Sequence, residues 1–241
     1  MMTDLSWLSR TQLLIGEPAL RQLTQRHVLI VGLGGVGSYA AEFIARSGIG
    51  KMTIIDGDVV DPTNRNRQLP ALATTHGMSK AMLMEERLIA INPELNIKAI
   101  REFILPENVL AQLEGTPDYI IDAIDSITPK VTFLRTAYEK GIPIVSSMGA
   151  GAKLDPTRLQ VVDISKTYNC PFAQQVRKLL KGHGIYKGIK TVFSPEEPVK
   201  ESLMLTDGKN FKKSAYGTIS YLPAVFGAVA ASVAIRELMK P

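Results

Sequence analysis

The chain is short of the residues that build covalent or metal cross-links. It has a single cysteine, Cys170, among 241 residues. One cysteine excludes an internal disulfide and the paired cysteine arms of a structural zinc site. Because Cys170 lies in a polar stretch before Pro171, it reads either as a thiol without a role or as an exposed, reactive one. Histidine is equally scarce: His27, His76 and His183 stand in unrelated contexts, and His27 precedes a buried strand. Met1 to Arg10 lacks a basic region followed by an apolar run, so no secretory leader is expected there. Only one apolar run is long, Thr218 to Ile235, and it approaches the length of a membrane span. Small residues dominate it and Tyr221 and Pro223 interrupt its start, which favours a buried or dimer-facing helix and leaves membrane contact as the alternative. Internal repeats and low-complexity tracts are lacking too.

What is present suits one folded domain with an embellishment: 45% hydrophobic residues, 21% charged residues and 19 glycines. The net charge of +5 is unevenly placed, with ten Lys/Arg against four Asp/Glu between Lys166 and Lys213. A local excess of that size suits an anionic macromolecule. Arg177, Lys178, Lys181, Lys187 and Lys190 are the candidate phosphate contacts, and without regular aromatic interleaving they would read shape and backbone rather than bases.

Alternation of short apolar runs with helical patterns sets the fold class. Strands are expected at His27–Gly32, Lys51–Asp56, Ile97–Phe103, Tyr119–Ala123 and Ile142–Ser147, and helices at Glu17–Thr24, Val36–Ser47, Lys80–Ile91, Pro106–Leu113 and Pro129–Lys140. That rhythm describes an α/β, Rossmann-like fold: a mostly parallel sheet with helices on both faces, extended by a C-terminal substrate-facing part. The expected organisation is an N-terminal helical arm over 1–26, a nucleotide-binding core over 27–165, a basic substrate-binding excursion over 166–217 and a C-terminal helix over 218–241. Leu159–Ile164 extends the sheet in another direction, Phe172–Leu180 is helical, and Gly182–Asp207 is mostly loop with Val192-Phe193 as a short strand.

The sharpest local signal is VLIVGLGGVGS, a strand followed by Gly32, Gly34, Gly35 and Gly37 at the opening of a helix. Such glycines permit the tight turn, the approach of phosphate to the backbone and close helix packing, while free N–H groups at the helix start attract anions. Asp56 ends the next strand, where a carboxylate accepts ribose hydroxyls. This constellation fixes a nucleotide without choosing between NAD and ATP. The choice comes from the following segment, with Asn64, Arg65, Arg67 and Gln68 just past the ribose-binding strand. Hydride transfer has no need of them; adenylation does, since negative charge builds on phosphoryl oxygens as a carboxylate attacks the α-phosphate. Lys80 opens the next helix within reach of the phosphate tail. Asp122 and Asp125, in DAIDS, stand at the carboxyl edge of the sheet where an aspartate holds Mg²⁺ against phosphate.

The motifs GLGGVGS, IDGDVVDPTNRNRQ, GMSKA, INPE and DAIDS resemble those of the ubiquitin-activating-type adenylating enzymes, the ThiF/MoeB/HesA superfamily that includes the adenylyltransferases of molybdopterin and thiamine sulfur carriers. The resemblance implies that Asp56 holds ribose, that Asn64, Arg67 and Lys80 meet ATP phosphates, and that Asp125 is the metal-linked aspartate. It places Asp58, Gln68, Asp122 and Ser126 in the nucleotide site as well. It further implies a homodimer in which Arg10, within SRTQLLIG, reaches the neighbouring subunit's site, and a monovalent cation, Na⁺ or K⁺, on the backbone of Gly149 and Gly151. Within the superfamily, DAIDSITPK, SSMGAGAKLDPT and VVDISKT are similar to the tRNA threonylcarbamoyladenosine dehydratases. Those enzymes use ATP to activate the threonyl carboxylate of a modified tRNA adenosine, which then cyclises with release of AMP and pyrophosphate. A cytoplasmic enzyme acting on tRNA is therefore expected. A sulfurtransferase-type partner for Cys170 is a further expectation.

Other readings carry their own requirements. Activation of a sulfur-carrier or ubiquitin-like protein needs a groove for a flexible Gly-Gly tail, and Ser126 and Lys130 stand where those activators usually carry Asn and often Arg. An NAD(P)-dependent oxidoreductase needs a proton-transfer group that the scattered histidines do not supply. An inactive nucleotide-binding scaffold would bind ATP without turnover.

Overall fold

The computed structural model describes residues 4–205 and 214–240. Its centre is a seven-stranded sheet formed by β1 (His27–Val31), β2 (Lys51–Ile55), β3 (Asn96–Ile100), β4 (Tyr119–Asp122), β5 (Ile144–Ser147), β6 (Gln160–Asp163) and β7 (Lys190–Phe193), in the order β3-β2-β1-β4-β5-β7-β6. All neighbours pair in parallel except β6 with β7. Apolar residues run through the central strands because both faces are covered. Val28, Ile30, Met52, Ile54, Ile121 and Val145 point to one core, and Leu29, Val31, Ile55, Ile120 and Ile144 to the other.

Around the sheet stand α1 (Ser9–Ile15), α2 (Glu17–Leu23), α3 (Gly37–Arg46), α4 (Lys80–Ile91), α5 (Val109–Gln112), α6 (Ile127–Glu139), α7 (Pro171–Gly182) and α8 (Tyr221–Leu238). The first core takes residues of α3, α4 and α8, the second those of α5, α6 and α7. α6 begins before Pro129 because the first helical turn has no N–H partners for proline to remove. β3 ends at Ile100, earlier than expected, where its last ladder bond goes to Asp56 and the chain turns over Gly57 to seat Phe103. α5 is likewise shorter than expected, since Asn108 caps the preceding turn through Leu105 and Phe103.

Beyond Gly151 the chain departs further from the sequence reading. The boundary expected at 165 does not break the sheet: β7, inside the basic excursion, inserts between β5 and β6. A hairpin of β8 (Leu203–Leu205) and β9 (Ser214–Tyr216) replaces part of the expected loop, and residues 206–213 of the excursion lie outside the described residues. α8 is long and apolar enough to cross a membrane, yet half of that window is buried inside the protein. It lies against α3 so closely that a Cβ on Gly227 would sit 2.4 Å from the carbonyl oxygen of Val36. Its small residues thus serve a close helix–helix contact in the core.

Candidate active site

The order β3-β2-β1-β4 changes direction between β1 and β4, and a crevice at the carboxyl ends of such strands is where ligands bind in open α/β sheets. The glycine turn lies over this point. Gly32 has φ +84°, and a Cβ on it would lie 2.7 Å from the carbonyl oxygen of Ala123. At Gly37, the first residue of α3, a Cβ would strike the Gly32 carbonyl. Gly34 instead faces open space up to Gln68 Nε2 at 3.7 Å, and Gly35 backs onto Pro223 and Arg67. Val36 supplies no side-chain cap, so the start of α3 is not closed by its own chain.

Asp56 is tied into the turn: its carboxylate accepts N–H groups from Leu33 at 2.6 Å and Asp58 at 2.7 Å. Burial raises its pKa above the usual carboxylate value, against the lowering effect of Lys80 and the two N–H bonds. Lys80, buried at the start of α4, donates to Asp58 at 3.0 Å. The 3-10 turn Pro62–Asn64 is closed by a capping box, in which Asn64 Oδ1 accepts Asp61 N–H, leaving its amide NH₂ as the donor end. Gln68 is buried, and its Oε1 has no hydrogen-bond partner. An orphaned buried acceptor beside an open glycine face fits a site shaped for a bound group.

Arg67 Nη1 donates to the Thr63 carbonyl at 3.1 Å and Asn66 Oδ1 at 2.9 Å. Burial lowers the guanidinium pKa, and the charge of Asp125 acts against it. Asn66 also donates to the Thr218 carbonyl, tethering this segment to the approach to α8. Asp125 is exposed on the loop after β4, and Ser126 is buried at the N-cap position of α6.

Asp122 differs from its expected place. It is fully buried, 2.7 Å from Lys130, and accepts Ser146 Oγ–H and Ile124 N–H. A carboxylate so enclosed supports the site from behind rather than meeting the nucleotide. Lys130 and Ser146 carry no role in the sequence reading. Asp122 and Ser146 lie on neighbouring strands and pair in register, a juxtaposition that only the folded sheet creates.

The basic candidates divide. Lys178, Lys181 and Lys187 are exposed, but Arg177 donates to the Thr167 carbonyl and hydroxyl, and Lys190 is ion-paired to Glu237 at 2.7 Å. Those two are held by the fold. Cys170 is buried, which goes against the alternative of an exposed, reactive thiol. Arg10 is exposed on α1, whose Gln12 lines a cavity of about 530 Å³ with Gly48 and Gly50. Those glycines precede β2, at the end of the sheet opposite the crevice.

The loop at Gly149 and Gly151 packs on Phe172 and Tyr216, and two residues on stands Lys153, buried, its ammonium donating to the Ser194 carbonyl. The loop offers a monovalent cation backbone oxygens only, beside a built-in positive charge. Among the described residues, no group of three or more His, Cys, Asp or Glu is placed to hold a metal ion.

Comparison with known proteins agrees with this geometry. The ThiF family model matches residues 8–241. A Bacillus subtilis tRNA threonylcarbamoyladenosine dehydratase is 39% identical over 239 residues, covering 96% of this chain and 94% of its own. The crystal structure of an Escherichia coli tRNA N6-threonylcarbamoyladenosine dehydratase with AMP superposes with a TM-score of 0.89 at 39% identity, over 99% of this chain and 97% of that one. The same enzyme with ATP gives 0.88 at 38% identity, with the same coverage. A yeast adenylyltransferase and sulfurtransferase is 30% identical over 62% of this chain and 34% of its own.

Proposed function

Because the chain belongs to the ThiF family, and within it to the tRNA threonylcarbamoyladenosine dehydratases, we propose that its crevice uses ATP to cyclise threonylcarbamoyladenosine in tRNA. The observation that carries the mechanism is the open glycine turn at the β1/β4 switch point, with Asp56 tied into it and the buried, unpartnered Gln68 Oε1 beside its open face. Asp56 takes the ribose hydroxyls, and the N–H groups at the start of α3 receive phosphate. A threonyl carboxylate oxygen then forms a bond to the α-phosphorus, and the bond to the β-phosphate oxygen breaks to release pyrophosphate. Arg67, Lys80 and the Asn64 amide meet the charge that develops on the phosphoryl oxygens. Lys80 reaches them by sharing or leaving Asp58.

The mixed anhydride makes the acyl carbon electrophilic. Attack by the carbamoyl group of the same side chain closes the ring, and the carboxylate oxygen departs with AMP, so the nucleoside loses one water. This step is intramolecular and needs orientation more than a protein nucleophile, which agrees with a buried Cys170. Mg²⁺, where bound, is held by Asp125 and supplies charge to the phosphate oxygens. No step is assigned to Na⁺ or K⁺, or to a sulfurtransferase.

Arg10 acts in trans within a homodimer. Leu13 and Leu14, 87% and 86% exposed on the same helix, give α1 an apolar face that a second copy would cover. Lys178, Lys181 and Lys187 contact tRNA phosphates, and the tRNA substrate places the reaction in the cytoplasm with α8 as a core helix. ATP–pyrophosphate exchange tests the reading: exchange is expected with tRNA bearing threonylcarbamoyladenosine and not with Gly-Gly-tailed carrier proteins, and the reverse outcome would overturn it.

A further inference from the structure

A charge pair without solvent contact lies directly behind the Asp125 loop. Lys130 and Asp122 are fully buried and 2.7 Å apart. Burying two charges is costly, and an apolar pair of similar volume often stabilises a fold as well, so what the pair holds is the informative question. It holds both polar groups of one peptide residue. Asp122 Oδ1 accepts Ile124 N–H at 3.0 Å, while Lys130 Nζ donates to the Ile124 carbonyl, also at 3.0 Å. Ser146 Oγ–H donates to the remaining Asp122 oxygen at 2.6 Å and fixes the carboxylate from β5.

Ile124 directly precedes Asp125. On its other side Ala123 is gripped by the glycine turn: its N–H bonds the Val31 carbonyl at 2.8 Å, and its carbonyl lies where a Gly32 Cβ would clash. Lys130 Nζ also sits 5.7 Å from the centre of the Phe172 ring, whose Cβ packs on Gly149. One ammonium therefore joins the loop after β4, the end of β5 through Asp122 and Ser146, and the start of α7.

We propose that Lys130 is a positioning residue which, with Asp122 and Ser146, holds the backbone at Ile124 so that the loop carrying Asp125 stays fixed beside the glycine turn. It thereby sets the rate of adenylation rather than the affinity for ATP. The proposal rests on the adenylation reading above. Neither charge touches solvent, so neither meets substrate, and their hold on the loop runs through the backbone of Ile124.

The decisive variant is Asp122→Asn with Lys130→Met in the full-length protein, which removes both charges together and leaves neither unpaired. Thermal unfolding, amide exchange at residues 123–126, and kcat and KM for ATP with threonylcarbamoyl-bearing tRNA are measured on it. The expected result is cooperative unfolding, faster exchange confined to 124–126, kcat lowered at least about tenfold and KM for ATP within about threefold of wild type. A folded variant with kcat within about twofold of wild type, or with unchanged exchange at 124–126, overturns the proposal. Should the double variant fail to fold, Ser146→Ala and Lys130→Arg, which keep both charges, decide the matter. Ser146→Ala is expected to lower kcat about threefold or more with ATP KM unchanged and Lys130→Arg to recover local protection, whereas wild-type kcat and wild-type exchange in Ser146→Ala overturn it. If the wild-type protein does not turn over the tRNA at all, the substrate reading fails, while exchange at 124–126 still judges the clamp.

Discussion

Arg67, half-buried, and Asp125, exposed, come from different parts of the chain, and the proposed mechanism gives each a charge to meet at the phosphates. Removing one preorganised charge of this kind lowers kcat by about 10²–10³. Arg67→Ala and Asp125→Asn are each expected to reduce steady-state formation of AMP by about a hundredfold while the protein still binds ATP, as read by calorimetric titration. A loss of less than about fivefold in either would remove that residue from the mechanism. The placement of Asp56 directly after β2 and of Lys80 at the start of α4 was legible in the sequence from the apolar run of the strand and the helical pattern that follows. Asp122 was not, because a carboxylate at a strand end looks the same whether it points outward or inward. Its partner Lys130 stands eight residues on in α6, and only the folded sheet brings Ser146 beside it.

At the scale of elements, α7 separates two kinds of basic residue. Its buried side, through Ala173, Val176 and Leu180, docks on the core, and Arg177 at the margin bonds Thr167. Lys178 and Lys181 point outward, with Lys187 beyond the helix. Replacing these three with Gln is expected to weaken tRNA binding uniformly across tRNAs and to reduce the slope of log K against log salt by about 0.9 per lost duplex phosphate contact. Titrations at several salt concentrations measure this, and an unchanged slope would place tRNA on another face. The strands of the core were legible because unbroken apolar runs between turns suit a sheet covered on both sides. The β8–β9 hairpin was not: Leu203, Met204 and Leu205 are all exposed, so the alternation that marks a half-buried strand is lacking. The position of β7 was equally hidden, since Lys190–Phe193 is a short apolar segment whose place between β5 and β6 is a tertiary choice. α2 was legible from Glu17 onward, whereas α1, which buries none of its residues and ends at Gly16 with φ +82°, carried no apolar pattern to mark it.

The nucleotide crevice lies at the carboxyl ends of the strands and α1 packs near the loop before β2, and on the proposed reading Arg10 completes the site of a second copy. Mixed dimers give a direct test. Arg10→Ala and Asp125→Asn are each expected to be impaired alone. Random mixing creates heterodimers with one complete site in two, and about a quarter of wild-type activity should return if Arg10 crosses the interface. No recovery after subunit exchange would confine Arg10 to its own chain. The central claim, that ATP adenylates the substrate carboxylate, is tested most directly by isotope. With oxygen-18 in the threonyl carboxylate of the tRNA nucleoside, mass analysis of the released nucleotide should find one labelled oxygen in AMP and none in pyrophosphate. Label in pyrophosphate or inorganic phosphate, or unlabelled AMP alongside cyclised nucleoside, would contradict the account.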